Sequence, residues 1–89
     1  MDKMLKTEEE ARKAIEALKN SVNEILESES KDYYGTKFTE MTKNFFYLQQ
    51  LHKHYKPIPE YEEAKKLIES IGTKDQQFVE YFKQFVNED

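Results

Sequence analysis

The chain has 89 residues, a formal net charge of −4, twelve aromatic residues and no cysteine. This length suits one domain over residues 1–89, because hydrophobic cores rarely divide in so short a chain. The lack of cysteine excludes disulfides and thiolate sites, and a single arginine in an acidic chain argues against nucleic-acid binding, which depends on neutralising phosphates.

The first predicted helix follows Thr7. The Thr7 hydroxyl and the Glu10 side chain have the spacing of a capping box, in which each accepts from the other's backbone amide. Apolar residues then recur three or four positions apart, which places them on one helical stripe. These are Ala11, Ile15, Leu18, Val22 and Ile25. We expect this helix to end near Glu29.

The second predicted helix is rich in aromatic residues. Its apolar stripe follows a seven-residue rhythm through Tyr34, Phe38, Met41, Phe45, Leu48 and Tyr55, with His52 at the missing position. Phe45, Phe46 and Tyr47 are consecutive and therefore span about 200° of the helix circumference. One stripe cannot bury all three, so we expect this helix to be central and contacted on two sides.

Two starts are possible for the second helix. Ser30 can cap a helix that contains Gly35, or Gly35 can close a turn and Thr36 can cap the helix. We favour Thr36, with Tyr34 still packed against the core. The helix should end at Lys56, because Pro57 disfavours helical geometry in the residue before it.

The third helix should begin at Pro59, and its stripe is Tyr61, Ala64, Ile68 and Ile71, with Leu67 beside it. We expect Gly72 to end it in a left-handed conformation, and Thr73 with Gln76 to form a second capping box for the fourth helix. The apolar face of that helix is Phe78, Val79, Phe82, Phe85 and Val86. The sequence thus predicts an all-α, small antiparallel four-helix bundle, with two long helices and then a short helical hairpin.

Charge is segregated along the chain. The formal net charge is −3 for residues 1–30, +3 for residues 31–58 and −4 for residues 59–89. The simpler interpretation is that lysines of the second helix pair with glutamates of neighbouring helices at the rims. The alternative is that Lys43, Lys53 and Lys56, with Phe46 and Tyr47, face an acidic partner or make weak contact with an acidic membrane surface.

Part of the aromatic set is expected to form an interface, since Tyr and Phe are enriched in interfaces. Tyr33, Tyr34, Phe46, Tyr47 and Tyr81 fit worst in the core of one small domain. With the lysines of the second helix, the candidate interface comprises Tyr34, Phe46, Tyr47, Lys43, Lys53 and Tyr81.

A ligand-binding site at a histidine is the alternative to an interface. His52 and His54 lie about 200° apart on a helix and cannot hold one ion together. A metal or small-ligand site would need His52 with carboxylates such as Glu60, Glu62 or Glu63. We expect instead a half-buried His52 and an exposed His54. Neither histidine lies in a nucleophile motif and no glycine-rich phosphate loop is present, so we expect no catalysis and no cofactor.

The favoured hypothesis is a non-enzymatic interaction or regulatory module that docks on another protein or on itself. No apolar run reaches the roughly 18 residues of a membrane helix, and residues 1–10 do not resemble a signal peptide, so a cytoplasmic protein is expected. In size, charge and helix content the chain also resembles the bacteriocin immunity proteins, which are small cytosolic four-helix bundles. This resemblance of architecture implies an immunity-type function as a further alternative.

Overall fold

Helices form where apolar residues recur at helical spacing. The computed structural model describes residues 2–55 and 57–86, and these form four α-helices and no strand. The helices are α1 (Asp2–Glu27), α2 (Thr36–Tyr55), α3 (Pro59–Ser70) and α4 (Gln76–Phe85), with short 3₁₀ turns at Asp32–Tyr34 and Ile71–Thr73. The predicted all-α bundle with two long and two short helices is confirmed.

The four helices surround one core centred on Phe45. α1 and α2 run in opposite directions: Tyr47 in the second half of α2 reaches Glu10 in the first half of α1, and Glu40 in the first turns of α2 shares a groove with Glu24 in the last turn of α1. α3 and α4 both pack on α2: the Phe45 ring lies 5.4 Å from that of Tyr61 and 5.2 Å, edge to face, from that of Phe82. Phe45 is fully buried, as the stripe predicted, and α2 is contacted by all three other helices.

The start of α1 differs from the prediction. The helix begins at Asp2, so Thr7 lies inside it and is buried, and the Thr7–Glu10 capping box is wrong. A cap requires non-helical backbone at its first residue, whereas the preceding Lys, Met and Leu residues are good helix formers and let the helix continue. The helix ends at Glu27, two residues early, where Ser28 turns its hydroxyl to the carbonyl of Ser30.

α2 begins at Thr36, which is the start that we favoured, and Tyr34 packs against the core from the preceding turn. Its last described residue is Tyr55, so the predicted end at Lys56 lies outside the described residues. Tyr55 is exposed and Leu51 is buried instead. A strict seven-residue rhythm drifts by about 20° per repeat on a straight helix, which carries Tyr55 off the buried stripe.

The turn between α3 and α4 also differs. α3 begins at Pro59 as predicted, but Gly72 lies within a 3₁₀ turn and does not adopt a left-handed backbone. The cap of α4 is Asp75, whose side chain accepts from the amide of Phe78, while the Thr73 hydroxyl donates to the carbonyl of Ser70. The Gly72 stop and the Thr73 capping box are therefore wrong.

Candidate protein-docking surfaces

A buried carboxylate organises the turn before α2 and the start of α4. Asp75 Oδ2 accepts hydrogen bonds from the hydroxyls of Tyr33 (2.8 Å) and Tyr34 (3.0 Å), and Oδ1 accepts from the Phe78 amide (3.1 Å). The Lys31 ammonium lies 4.0 Å from Oδ2. Tyr33, which we expected to fit the core poorly, is fully buried because Asp75 satisfies its hydroxyl.

These hydrogen bonds set the protonation of the cluster. Burial alone raises the pKa of Asp75, but the hydrogen bonds from Tyr33, from the Phe78 amide and from Tyr34 outweigh it, and the pKa is lowered. Burial, with the hydrogen bond to Asp75, raises the pKa of Tyr33 to about 12. The carboxylate is therefore charged and the phenol neutral at ordinary pH, the combination in which the hydrogen bond is charge-assisted.

Lys74, in the turn between α3 and α4, contacts the end of α1. Its ammonium donates to the carbonyl oxygens of Ile25 (2.9 Å) and Leu26 (3.3 Å) and also to that of Ser28, and it lies 5.4 Å from the centre of the Tyr33 ring. A cation at this place gives the carbonyl groups of the helix end a further donor and complements the negative end of the helix dipole.

Four aromatic rings form a continuous surface beside this turn, and we call Tyr34, Phe38, Tyr81 and Phe85 the aromatic surface. The ring centres are 4.8 Å apart for Phe38 and Tyr81, 5.7 Å for Phe38 and Phe85, 4.9 Å for Tyr81 and Phe85, and 5.9 Å for Tyr34 and Tyr81. Phe38 is buried, whereas Tyr81 is 37% and Phe85 54% exposed. Of the predicted interface residues, the structure thus brings Tyr34 and Tyr81 together.

A second surface lies on α2, and we call it the outer face of α2. It comprises Thr39, Lys43, Phe46, Gln50 and Lys53, all of which are exposed. At 100° per residue these five positions fall within an arc of about 80°. Phe46 is 38% exposed. Three predicted interface residues, Lys43, Phe46 and Lys53, therefore share one side of the helix.

Tyr47 points elsewhere. It lies about 100° around the helix from Phe46, and its hydroxyl donates to Glu10 Oε1 of α1 at 2.6 Å. This hydrogen bond, with partial burial, raises the pKa of Tyr47 to about 12. Tyr47 remains exposed, but the structure does not place it with the other predicted interface residues.

The lysines of α2 do not pair with neighbouring helices in the described part of the chain. Ion pairs between helices join Lys19 to Glu63 (3.1 Å) and Lys83 to Glu69 (3.2 Å). Neither Lys43 nor Lys53 lies within 4.0 Å of a described carboxylate. The rim pairing that we considered simplest is therefore wrong for these two lysines, and Lys56 lies outside the described residues.

The histidines occupy the predicted environments, with His52 half-buried and His54 exposed. The His52 ring packs 4.7 Å from that of Tyr61, and its Nδ1 accepts from the Ile58 amide at 3.4 Å. In the described ranges no group of three His, Asp or Glu residues could hold a metal ion. Nothing there supports the proposed metal or small-ligand site of His52 with Glu60, Glu62 or Glu63.

Phe85 was not among the predicted interface residues, and Asp75 was not predicted as a helix cap. Phe85 belongs to the apolar face of the fourth helix by spacing, yet α4 ends there and the described residues leave the ring half covered. Asp75 could have been predicted as the cap of the fourth helix, since Asp is among the residues preferred at a helix N-cap. No helix in the described part of the chain is long and apolar enough to cross a membrane.

Comparisons with known proteins found no matching family model, no matching curated protein and no matching solved structure.

Proposed function

We propose that the protein is a docking module whose aromatic surface binds apolar side chains of another protein or of a second copy of itself. The observation that carries this proposal is the contact between Tyr81 and Phe85 at 4.9 Å, with both rings more than a third exposed and with Phe38 beneath them. Single exposed apolar residues are ordinary. A contiguous aromatic patch is typical of an interaction site.

The rigidity of the aromatic surface supports the same function. Tyr34 is held by its hydrogen bond to Asp75 and packs edge to face on Phe78 at 5.2 Å. Phe38 packs edge to face on both Phe78 (5.5 Å) and Phe85 (5.7 Å). Rings that are already ordered lose little conformational entropy when a partner covers them, so more of the gain from apolar burial appears as affinity.

The experiment compares the wild-type protein with a double variant, Tyr81→Ser and Phe85→Ser. A matched control is Tyr55→Ser, which also removes an exposed aromatic ring but lies at the end of α2, away from this surface. Molar mass over a concentration series tests self-association, and capture from the native host followed by titration of the captured protein tests a partner. Thermal unfolding checks that each variant is folded.

We expect the double variant to lose association and the control to retain it. Equal molar mass and equal capture by the wild type and the double variant would contradict the proposal, because the two exposed rings would then contribute nothing to binding.

A further inference from the structure

The outer face of α2 has a chemistry that differs from the aromatic surface. Two lysines, Lys43 and Lys53, stand at opposite ends of the arc, and Phe46 lies between them in the sequence. The remaining positions, Thr39 and Gln50, are uncharged. An exposed phenyl ring between two cations is suited to a partner that carries both an apolar side chain and carboxylates.

The absence of carboxylates from this face is notable in a chain with 18 acidic residues. Glu40, the acidic residue of α2, lies about 60° outside the arc and lines the groove between α1 and α2 together with Lys43 and Glu24. Among the described residues neither Lys43 nor Lys53 forms an ion pair. Both lysines are therefore exposed without a close ion pair, and Lys43 has Glu24 and Glu40 beside it in the groove.

We propose that the outer face of α2 binds an acidic amphipathic helix of another protein, which places carboxylates on Lys43 and Lys53 and an apolar side chain on Phe46. This surface is distinct from the aromatic surface, and either proposal can fail alone. A second copy is a poor occupant, because a two-fold contact through the same face would oppose lysine to lysine.

The spacing on α2 specifies the partner. A helix rises about 1.5 Å per residue, so Lys43 and Lys53 lie about 15 Å apart along the axis, and Phe46 lies about 4.5 Å from Lys43. A parallel partner helix with matched contacts carries Glu, an apolar residue three positions later, and a second Glu ten positions after the first. An antiparallel partner carries the reverse order.

The test uses a labelled helical peptide with Glu, Leu and Glu at this spacing, and a second peptide of the same composition with the leucine and glutamates moved to other positions. Binding is measured by fluorescence anisotropy over a range of salt. The protein variants are Lys43→Glu with Lys53→Glu, Phe46→Ser, and the control Lys6→Glu with Lys66→Glu. The control reaches the same net charge through two exposed lysines on α1 and α3.

We expect the spaced peptide to bind and the rearranged peptide to bind about tenfold more weakly, a change of about 1.4 kcal/mol. Reversal of Lys43 and Lys53 should weaken binding and reduce its salt dependence. Phe46→Ser should weaken binding and leave the salt dependence unchanged, and the control should bind as the wild type does.

Several outcomes would overturn the proposal. They are no detectable binding at the highest soluble concentration, equal affinity for both peptides, and equal weakening by the control. Poly-glutamate, vesicles with anionic lipid or duplex DNA that bound as tightly as the spaced peptide would show attraction to any polyanion. Self-association of the protein that was lost on reversal of Lys43 and Lys53 would identify a second copy as the occupant.

Discussion

Replacing Asp75 with alanine should strongly destabilise the fold. The carboxylate caps α4 through the Phe78 amide and accepts from the hydroxyls of Tyr33 and Tyr34. Alanine removes all three acceptor contacts at once. Tyr33 is fully buried, so its hydroxyl would be left inside the protein without its partner.

The magnitude can be worked from these contacts. Loss of an Asp cap costs about 0.5–2 kcal/mol, and a buried hydroxyl left without a partner costs about 1–3 kcal/mol. Tyr34 is half-buried, so water can replace part of its hydrogen bond. Removing a buried carboxylate also returns its desolvation penalty. We expect a net loss of about 2–4 kcal/mol, against a total stability of about 3–5 kcal/mol for a domain of this size.

The assay is urea unfolding followed by far-ultraviolet circular dichroism. Asp75→Asn is the matched control, because Asn caps a helix about as well as Asp and retains one acceptor oxygen. It should lose clearly less stability than Asp75→Ala. Adding Tyr33→Phe to the Asp75→Ala variant should restore part of the lost stability, because the buried hydroxyl that lacks a partner is then removed.

The pH dependence gives a second readout. The folded pKa of Asp75 is lowered, so its contribution is present above the unfolded value of about 3.9 and is lost as pH falls through the folded value. Asp75→Asn should flatten this acid dependence. Unchanged urea stability of Asp75→Ala, or equal effects of Tyr33→Phe with and without Asp75, would refute the reasoning.

Three further predictions concern Phe45, Gly72 and Tyr33. Phe45→Ala should cost about 3–5 kcal/mol because Phe45 is fully buried, whereas Phe46→Ala should leave the melting temperature nearly unchanged; equal melting of both variants would contradict this. Gly72→Ala should be neutral or raise the melting temperature, since Gly72 is not left-handed and its added Cβ meets the movable end of the Gln76 side chain; a clear loss of stability would contradict the assigned turn. The pKa of Tyr33 is raised to about 12, so its contribution to the free energy of unfolding is present below a pH of about 10 and is lost as pH rises through the folded value. In an absorbance titration, Tyr33→Phe should remove one tyrosine that titrates above the ordinary range.

The presence of each helix could be predicted because it depends on the spacing of apolar residues that are close in the sequence. The stripe from Ala11 to Ile25 is buried along its whole length, and the start at Pro59 follows from the fixed backbone angle of proline. Helix ends were less predictable. Thr7 has the residues of a capping box but lies inside α1, because a cap signal competes with the helix preference of the residues before it.

The surfaces were predictable only in part. Helical geometry predicted that one stripe cannot bury Phe45, Phe46 and Tyr47 together, and in the structure Phe45 is buried whereas Phe46 and Tyr47 are exposed. The burial of Tyr33 could not be predicted from sequence. It depends on Asp75, which is 42 positions away and becomes a neighbour only after α3 and α4 have packed.

The contact of Lys74 with the end of α1 couples the two halves of the chain during folding. The ammonium reaches carbonyl oxygens of residues 46 to 49 positions earlier. On a ribosome, α1 and α2 therefore emerge before the side chain that caps α1 has been synthesised. We therefore expect the last turn of α1 to fray until the α3–α4 turn has packed against it, and the amide hydrogens there to gain full protection from exchange only then.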